Sequence, residues 1–280
     1  MVVTPKTTTD IIWLSFVLER MNLNQYSEST AQPGLSVQKI IELPIATPPS
    51  KDEQTAIATA LSDTDALITG LEKLIAKKRN IKQGAMQELL RPKEGWAIEP
   101  LGKFVTITSG ESPSKFEFVD SGIPYFKVEQ LNNSGKYAYE TIYFIRANNK
   151  IEKGSIVFPK RGASIFLNKI RILNVDSYID TNLMTLTVNE LLDNEYLFYQ
   201  LSYIGLDKIA DTTSIPQINN KHIYPFLLPF PKTKDEQIRI ATVLADIDSE
   251  IDSLERKLAK YKEIRQGMMQ VLLTGKVRLV

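Results

Sequence analysis

The sequence predicts an α+β protein: a mixed α/β domain plus two long helices that pair as an antiparallel coiled coil. Three observations predict it. Residues 52–90 and 235–273 align without a gap, at an offset of 183, with 21 identical positions out of 39. Both copies are rich in Ala, Leu, Ile, Lys, Gln and Glu and contain no proline, which is the composition of a helix interior. Between them, short runs rich in Val, Ile, Phe and Thr alternate with Gly, Ser and Asn turns, the pattern of strands.

Composition narrows the function classes. The chain has 280 residues, 43% hydrophobic and 24% charged, enough for two cores and unlike a disordered or low-complexity protein. Lys+Arg is 34 against 33 Asp+Glu, so contact with DNA requires a local basic patch rather than a global field. There is no cysteine, which excludes disulfides, thiolate zinc sites and cysteine nucleophiles and fits a cytoplasmic protein. His222 is the one histidine, too few for a histidine metal site. No apolar run approaches the ~20 residues of a membrane span, and the first ten residues lack the pattern of a signal peptide. No phosphate-loop, dinucleotide or H-E-x-x-H motif occurs. The reading is a non-catalytic protein that binds no metal and no cofactor itself.

Taken in order, residues 1–50 correspond to 184–233: Leu14 falls opposite Leu197, Ile40 opposite Ile223, Pro33 opposite Pro216, Pro48 opposite Pro231, and Met1 opposite Met184. They read as the C-terminal remnant of a first, incomplete copy of the intervening domain, with the apolar run from Ile11 to Leu18 forming a helix. Residues 51–93 are the first long helix, 94–232 a complete mixed α/β domain, and 233–280 the second long helix.

The apolar positions of the long helices follow coiled-coil spacing. In the second copy Ile240, Leu244, Ile247, Ile251, Leu254, Leu258 and Tyr261 step alternately by four and three. Ile264, Met268 and Val271 follow after an extra step of three, which reads as a stammer. The first copy carries Ile57, Leu61, Thr64, Ile68, Leu71, Ile75, Lys78, Ile81 and Ala85 at matching positions. Such a seam buries itself on another helix, and the intervening domain gives room for an antiparallel return. Gly84 and Gly267 sit at equivalent mid-helix positions, where glycine costs ~1 kcal/mol against Ala. They mark a close approach, a kink or a partner contact, or they are merely tolerated.

Within 94–232, strands are expected at 103–108, 124–128, 155–159, 165–173 and 183–188, and a helix at 190–204. Charge is polarised here. From Arg146 to Arg171 seven basic residues face Glu152 alone, and from Ile172 to Asp211 seven acidic residues face Lys208 alone. A focused basic stretch suits phosphate contact, with a solvated, internally paired rim as the alternative. The loop Ser214-Ile215-Pro216 leads into Gln217, Asn219, Asn220, Lys221 and His222. Amide side chains pair bidentately with adenine, although turn chemistry also favours Asn. Lys160, Arg161, Lys169, Arg171, Gln217, Asn219, Asn220 and Lys221 are therefore the candidate DNA-binding residues.

The duplicated D-E-Q…I-[KR]-Q-G-[AM]-M-Q…L-L helix carries a family resemblance, as do LLTGKVRL (272–279), GWAIEPLGKFVTITSG (95–110), FPKRGA (158–163) and SIPQINNKHI (214–223). In this order and at these spacings, the chain resembles specificity (S) subunits of type I restriction–modification systems. The resemblance implies a reader and scaffold. Recognition domains each read one half of a split double-stranded DNA site, and the paired helices dock methyltransferase (M) and restriction (R) subunits. Those partners hold S-adenosylmethionine, ATP and Mg. The first repeat departs from this pattern, having Gly34 and Ser36 where the second has Gln217 and Asn219. Recognition of at most one half-site, and completion by self-association or by a partner half-subunit, are the resulting expectations. A structural scaffold without DNA specificity is the alternative.

Overall fold

A computed structural model describes residues 4–27, 34–132, 135–147, 150–212 and 214–279. Met1 and Pro33, expected to correspond to Met184 and Pro216, lie outside the described residues. The chain divides into two compact units, Met1–Lys78 with Ser253–Val280, and Arg79–Asp252.

The helices are α1 (Ile11–Met21), α2 (Val37–Ile41), α3 (Lys51–Leu89), α4 (Asn194–Ile204), α5 (Asn220–Ile223) and α6 (Lys234–Leu272). The first six strands are β1 (Ala97–Pro100), β2 (Val105–Ser109), β3 (Glu117–Val119), β4 (Ile123–Phe126), β5 (Tyr137–Ala138) and β6 (Phe144–Arg146). They are followed by β7 (Ile156–Pro159), β8 (Arg171–Leu173), β9 (Tyr178–Ile179), β10 (Leu183–Val188) and β11 (Leu227–Phe230). The long helices α3 and α6 pack together, as their spacing predicts. Both begin with an acidic pair, Asp52-Glu53 and Asp235-Glu236, which the helix dipole favours.

In the first unit the register of the two helices is antiparallel. Arg265 of α6 forms an ion pair with Asp65 of α3, Lys262 lies 2.7 Å from Glu72, and Arg278 beyond α6 pairs with the buried Glu53. Ile57, Leu61, Ile68, Leu71 and Ile75 are buried. Ile57, Ala58 and Leu61 share one apolar cluster with Met269, Leu272 and Leu273. α1 completes this cluster through Trp13, Phe16 and Val17. α1 thus packs against the paired helices.

Asp10 caps α1, its carboxylate accepting from the N–H groups of Ile12 (2.9 Å) and Trp13 (2.8 Å). The Trp13 bond and the Thr55 hydroxyl outweigh burial and hold the carboxyl below its ordinary value. A depressed carboxyl stabilises above its unfolded-state value and loses that contribution as pH falls through the folded one. Asp10→Ala therefore costs about 1 kcal/mol at neutral pH. In thermal melts the gap to the parent chain narrows below pH ~4.

The seam departs from the sequence reading in one respect. Ile81 and Ile264 are 45% and 38% exposed, so the stammer is not there. The alternation of four and three continues from Tyr261 to Arg265, Met268 and Leu272, and in the first copy from Lys78 to Lys82, Ala85 and Leu89. Arg265 and Lys82 occupy seam positions as charges, each held by an aspartate of the opposite helix. Ile240, Leu244 and Ile251 are buried, and Ile247, Leu254 and Leu258 half-buried. Nothing lies within 4 Å of where a Cβ would stand on Gly84 or Gly267, so neither marks a close approach within the chain.

The second unit contains three sheets, ordered β2-β10-β7-β8-β5, β3-β6-β4-β9 and β1-β11. The expected strands at 103–108, 124–128, 155–159 and 183–188 correspond to β2, β4, β7 and β10. The run expected at 165–173 is strand only from Arg171, because Ala163–Ile165 forms a 3₁₀ turn. The strands β3, β5, β6 and β9 have two or three residues each, too short to show a periodicity. α4 lies in the main apolar cluster with Ile156, Phe158, Ile172, Met184 and Leu186 of the five-stranded sheet, and with Ile240, Ala241 and Leu244 of α6.

Candidate nucleic-acid interface

The candidate DNA-binding residues do not all converge. Lys160 and Arg161 leave the end of β7 and run antiparallel to the Gln217 segment. The Gly162 N–H donates to the Pro216 carbonyl (2.9 Å) and the Ile218 N–H to the Lys160 carbonyl (2.9 Å). Arg161 and Gln217 form a bridge pair, and Gln217 also pairs with Asp211. Gly162 has a φ of 81°, a left-handed conformation that favours glycine. FPKRGA and SIPQINNKHI, distant in sequence, are thus neighbouring segments, joined where Arg161 bridges to Gln217 beyond the end of β7.

Two further segments join this pairing. The Lys160 N–H donates to the Asn182 carbonyl (2.8 Å), and Glu111 bridges to Asp180. Gly110 passes so close to Asp180 that a Cβ would stand 1.8 Å from its carbonyl oxygen, so a side chain there would force the segments apart. Burial, then the neighbouring Arg161 charge, push the Lys160 ammonium below its ordinary value. Two cations held side by side favour a polyanion, which relieves their repulsion.

Asn219 is the N-cap of α5, and its N–H donates to Nδ1 of His222 (3.2 Å). Ser36, its counterpart at the offset of 183, caps α2. Asn219 thus has a capping role, while Asn220 and Lys221 are exposed on α5. Lys169 precedes β8 and contacts the side-chain oxygen of Asn132. Arg171 is opposite Val157 within the sheet, and burial holds its guanidinium below the ordinary value. The structure therefore brings Lys160, Arg161 and Gln217 together, continues them into 219–221, and places Arg171 within the sheet. Elsewhere the basic stretch is internally paired: Lys150 with Asp176, and Arg146 with Glu117 at 3.2 Å.

One group of residues escaped the sequence reading. Glu195 of α4 accepts from the Tyr137 hydroxyl (2.6 Å) and lies 2.9 Å from the Lys136 ammonium. One turn on, the Tyr199 hydroxyl donates to Asp248 of α6 (2.8 Å), which Lys82 of α3 approaches at 2.5 Å. Burial, then the Asp248 carboxylate, push the Tyr199 phenol far above its ordinary value, so it stays a hydrogen-bond donor. The network ties the five-stranded sheet, through α4, to both long helices. The offset of 183 was the available signal. It maps Asp65 onto Asp248, Lys82 onto Arg265 and Phe16 onto Tyr199, and the first unit repeats the arrangement with Arg265 on Asp65 and 5.9 Å from the Phe16 ring.

Among the described residues no group of three or more His, Cys, Asp or Glu could hold a metal ion, and no helix is long and apolar enough to cross a membrane. The arrangement places the cations of Lys160 and Arg161 beside the Gln217 segment; cations of this kind can contact phosphates, and amide side chains can pair with base edges.

The profile of the family described as "Type I restriction modification DNA specificity domain" matches residues 1–83 and 93–263. The type I restriction enzyme MjaVIII specificity subunit of Methanocaldococcus jannaschii is 25% identical over 300 residues, which cover 96% of this chain and 70% of that protein. The putative MjaX specificity subunit of the same organism is 25% identical over 294 residues, covering 96% and 68%. Among solved structures, the type I restriction–modification S subunit from M. genitalium is similar in fold at a TM-score of 0.67. It is 19% identical, with 95% of this chain and 73% of that one covered. The HsdS subunit from Thermoanaerobacter tengcongensis gives 0.58 at 19% identity, covering 95% and 70%.

Proposed function

Because the chain belongs to the family of type I restriction–modification DNA specificity domains, and so recognises DNA without being the catalyst, we propose that it reads one half of a split target through residues 94–232. The observation that carries this is the pairing of Lys160–Gly162 with the Gln217 segment. Lys160, Arg161 and Lys169 hold phosphates. Gln217 and Asn220 face base edges, with Lys221 beside them, while Asn219 orients the turn. Arg171 supports the strand. The paired helices dock methyltransferase and restriction subunits, which bring S-adenosylmethionine, ATP and Mg and act with this chain in the cytoplasm. This chain's own part is to orient the duplex against them.

The test is a selection of bound sequences from a random duplex library by the chain assembled with its methyltransferase partner. Gln217→Ala changes the preferred bases within one half-site, by about 1–3 kcal/mol of discrimination at one position, while nonspecific affinity changes little. An unchanged preference together with uniformly weaker binding would assign Gln217 to phosphate contact instead.

A further inference from the structure

Three exposed apolar side chains stand on the two segments that form the candidate interface. Beyond Gly162 the chain makes the short turn Ala163–Ile165 and returns to the core at Ile170. Ile165 and Ile170 are buried, whereas Phe166 and Leu167 between them are 58% and 65% exposed. On the neighbouring segment Ile215 is 71% exposed, directly before Pro216, whose carbonyl accepts from the Gly162 N–H. A lone exposed leucine is ordinary. Two adjacent large apolar residues at one apex, with a third on the segment bonded to its base, mark an interaction site.

The apex is firmly held. The Ile165 N–H donates to the Gly162 carbonyl (3.1 Å), the Phe166 N–H to that of Ala163 (3.1 Å), and the Asn168 N–H to that of Ile165 (3.0 Å). Asn168 has a φ of 49°, a left-handed conformation that Asn tolerates better than most residues. Its side-chain amide donates to the Ser202 carbonyl (2.9 Å), and its side-chain oxygen accepts from the Leu206 N–H (3.0 Å). One side chain thus fastens the turn to the C-terminal end of α4. A contact made by such an apex costs little ordering entropy.

Charge identifies the occupant. Arg161 precedes the apex and Lys169 follows it, and no acidic residue occurs from Lys153 to Val175. An apolar tip flanked by cations alone suits a polyanion that also carries apolar groups. In duplex DNA the base edges offer one such group, the thymine 5-methyl in the major groove. That is also the groove in which an amide side chain pairs with adenine, so one surface can make both contacts to A·T pairs. A wedge driven between base steps enters from the minor groove instead. We propose that Phe166 and Leu167 are specificity-determining residues that pack on thymine 5-methyl groups of the half-site. The inference rests on the reading of the Lys160–Gln217 edge as the interface and adds to it. Gln217 selects by hydrogen bonds, and the apex selects by the water it removes from a methyl group.

The experiment starts from duplexes selected out of a random library by the full chain assembled with its methyltransferase partner. Each thymine of the selected half-site is replaced singly by deoxyuridine, which lacks only the methyl group. At one or two thymines the replacement weakens binding about fourfold, the effect of returning one buried methyl to water. Phe166→Ala with Leu167→Ala makes those thymines insensitive to deoxyuridine and leaves the dependence of affinity on salt unchanged. If the double variant does not fold, Phe166→Gln and Leu167→Gln are tested singly, and at least one of them abolishes the deoxyuridine effect. A half-site without thymine, a scan in which no deoxyuridine weakens binding, or an effect that persists in the folded variants overturns the proposal. So does a double variant that assembles poorly with the methyltransferase while keeping its thymine sensitivity, which assigns the apex to a protein contact. Gln217→Ala separates the two readings. A flat deoxyuridine scan alongside base preferences that depend on Gln217 removes the apex alone. A deoxyuridine effect that depends on Phe166, with preferences indifferent to Gln217, retains the apex and removes the role of Gln217.

Discussion

Lys160→Glu together with Arg161→Glu lowers the affinity of the assembled complex for every duplex, cognate or not, by roughly 10²-fold at physiological salt. The slope of log affinity against log salt becomes shallower by about two units. The slope change follows from counterion release, at about 0.9 per phosphate contact in B-DNA, which alone weakens binding about 30-fold at physiological salt. The two cations are adjacent in sequence and share an edge with Gln217, so the double substitution tests that edge whichever of them contacts the duplex. Reversal also adds repulsion that neutralisation does not. Lys160→Gln with Arg161→Gln therefore flattens the slope equally but weakens binding less. Titrations at four or five salt concentrations, on cognate and scrambled duplexes, separate the outcomes. Loss confined to the cognate duplex would make these residues base readers. An unchanged slope would remove the edge from the interface.

Much of the architecture was legible because duplication is redundant evidence. The offset of 183 gave the long helices, their antiparallel pairing and the correspondence of α1 with α4, and the structure repeats even the capping bonds of Asp10 and Asp193. The coiled-coil register was legible only where its residues are apolar. Arg265 and Lys82 hid the seam because a charged residue breaks an apolar pattern, and only their ion pairs with Asp65 and Asp248 explain why a charge is tolerated there. The short strands β5, β6 and β9 were invisible since pairing, rather than local periodicity, makes them strands. At the candidate interface, sequence named Lys160, Arg161 and Gln217 separately. Their adjacency arises from backbone bonds between residues more than fifty positions apart, which no local pattern encodes. Arg171 illustrates the reverse case. It belongs to the basic stretch by sequence, yet strand alternation turns it into the sheet.

Gln237→Leu destabilises the second unit by about 3–5 kcal/mol, the largest single-residue effect expected outside the apolar core. The Gln237 side chain is fully buried. Its oxygen accepts from the Asp193 N–H (2.8 Å), and its amide donates to the carbonyls of Leu191 (3.3 Å) and Pro231 (3.0 Å). Leucine fills nearly the same volume, so cavity formation contributes little. The cost arises because three backbone groups lose their partners away from water, at ~1–3 kcal/mol each before relaxation. Asp193 is the N-cap of α4, its carboxylate accepting from the Tyr196 N–H (2.8 Å), so the helix start loosens as well. Gln54→Leu is the matched control in the first unit. It accepts from the Asp10 N–H and donates to the Thr8 carbonyl (3.5 Å), one firm bond fewer, and costs about 2–3 kcal/mol by the same reasoning. Native-state hydrogen exchange resolves the two, because each substitution speeds exchange at its own helix, α4 for Gln237 and α1 for Gln54. A loss below ~1 kcal/mol at Gln237 would mean that water reaches the three backbone groups once the amide is gone. Faster exchange at α1 in the Gln237 variant would mean that the two units unfold as one.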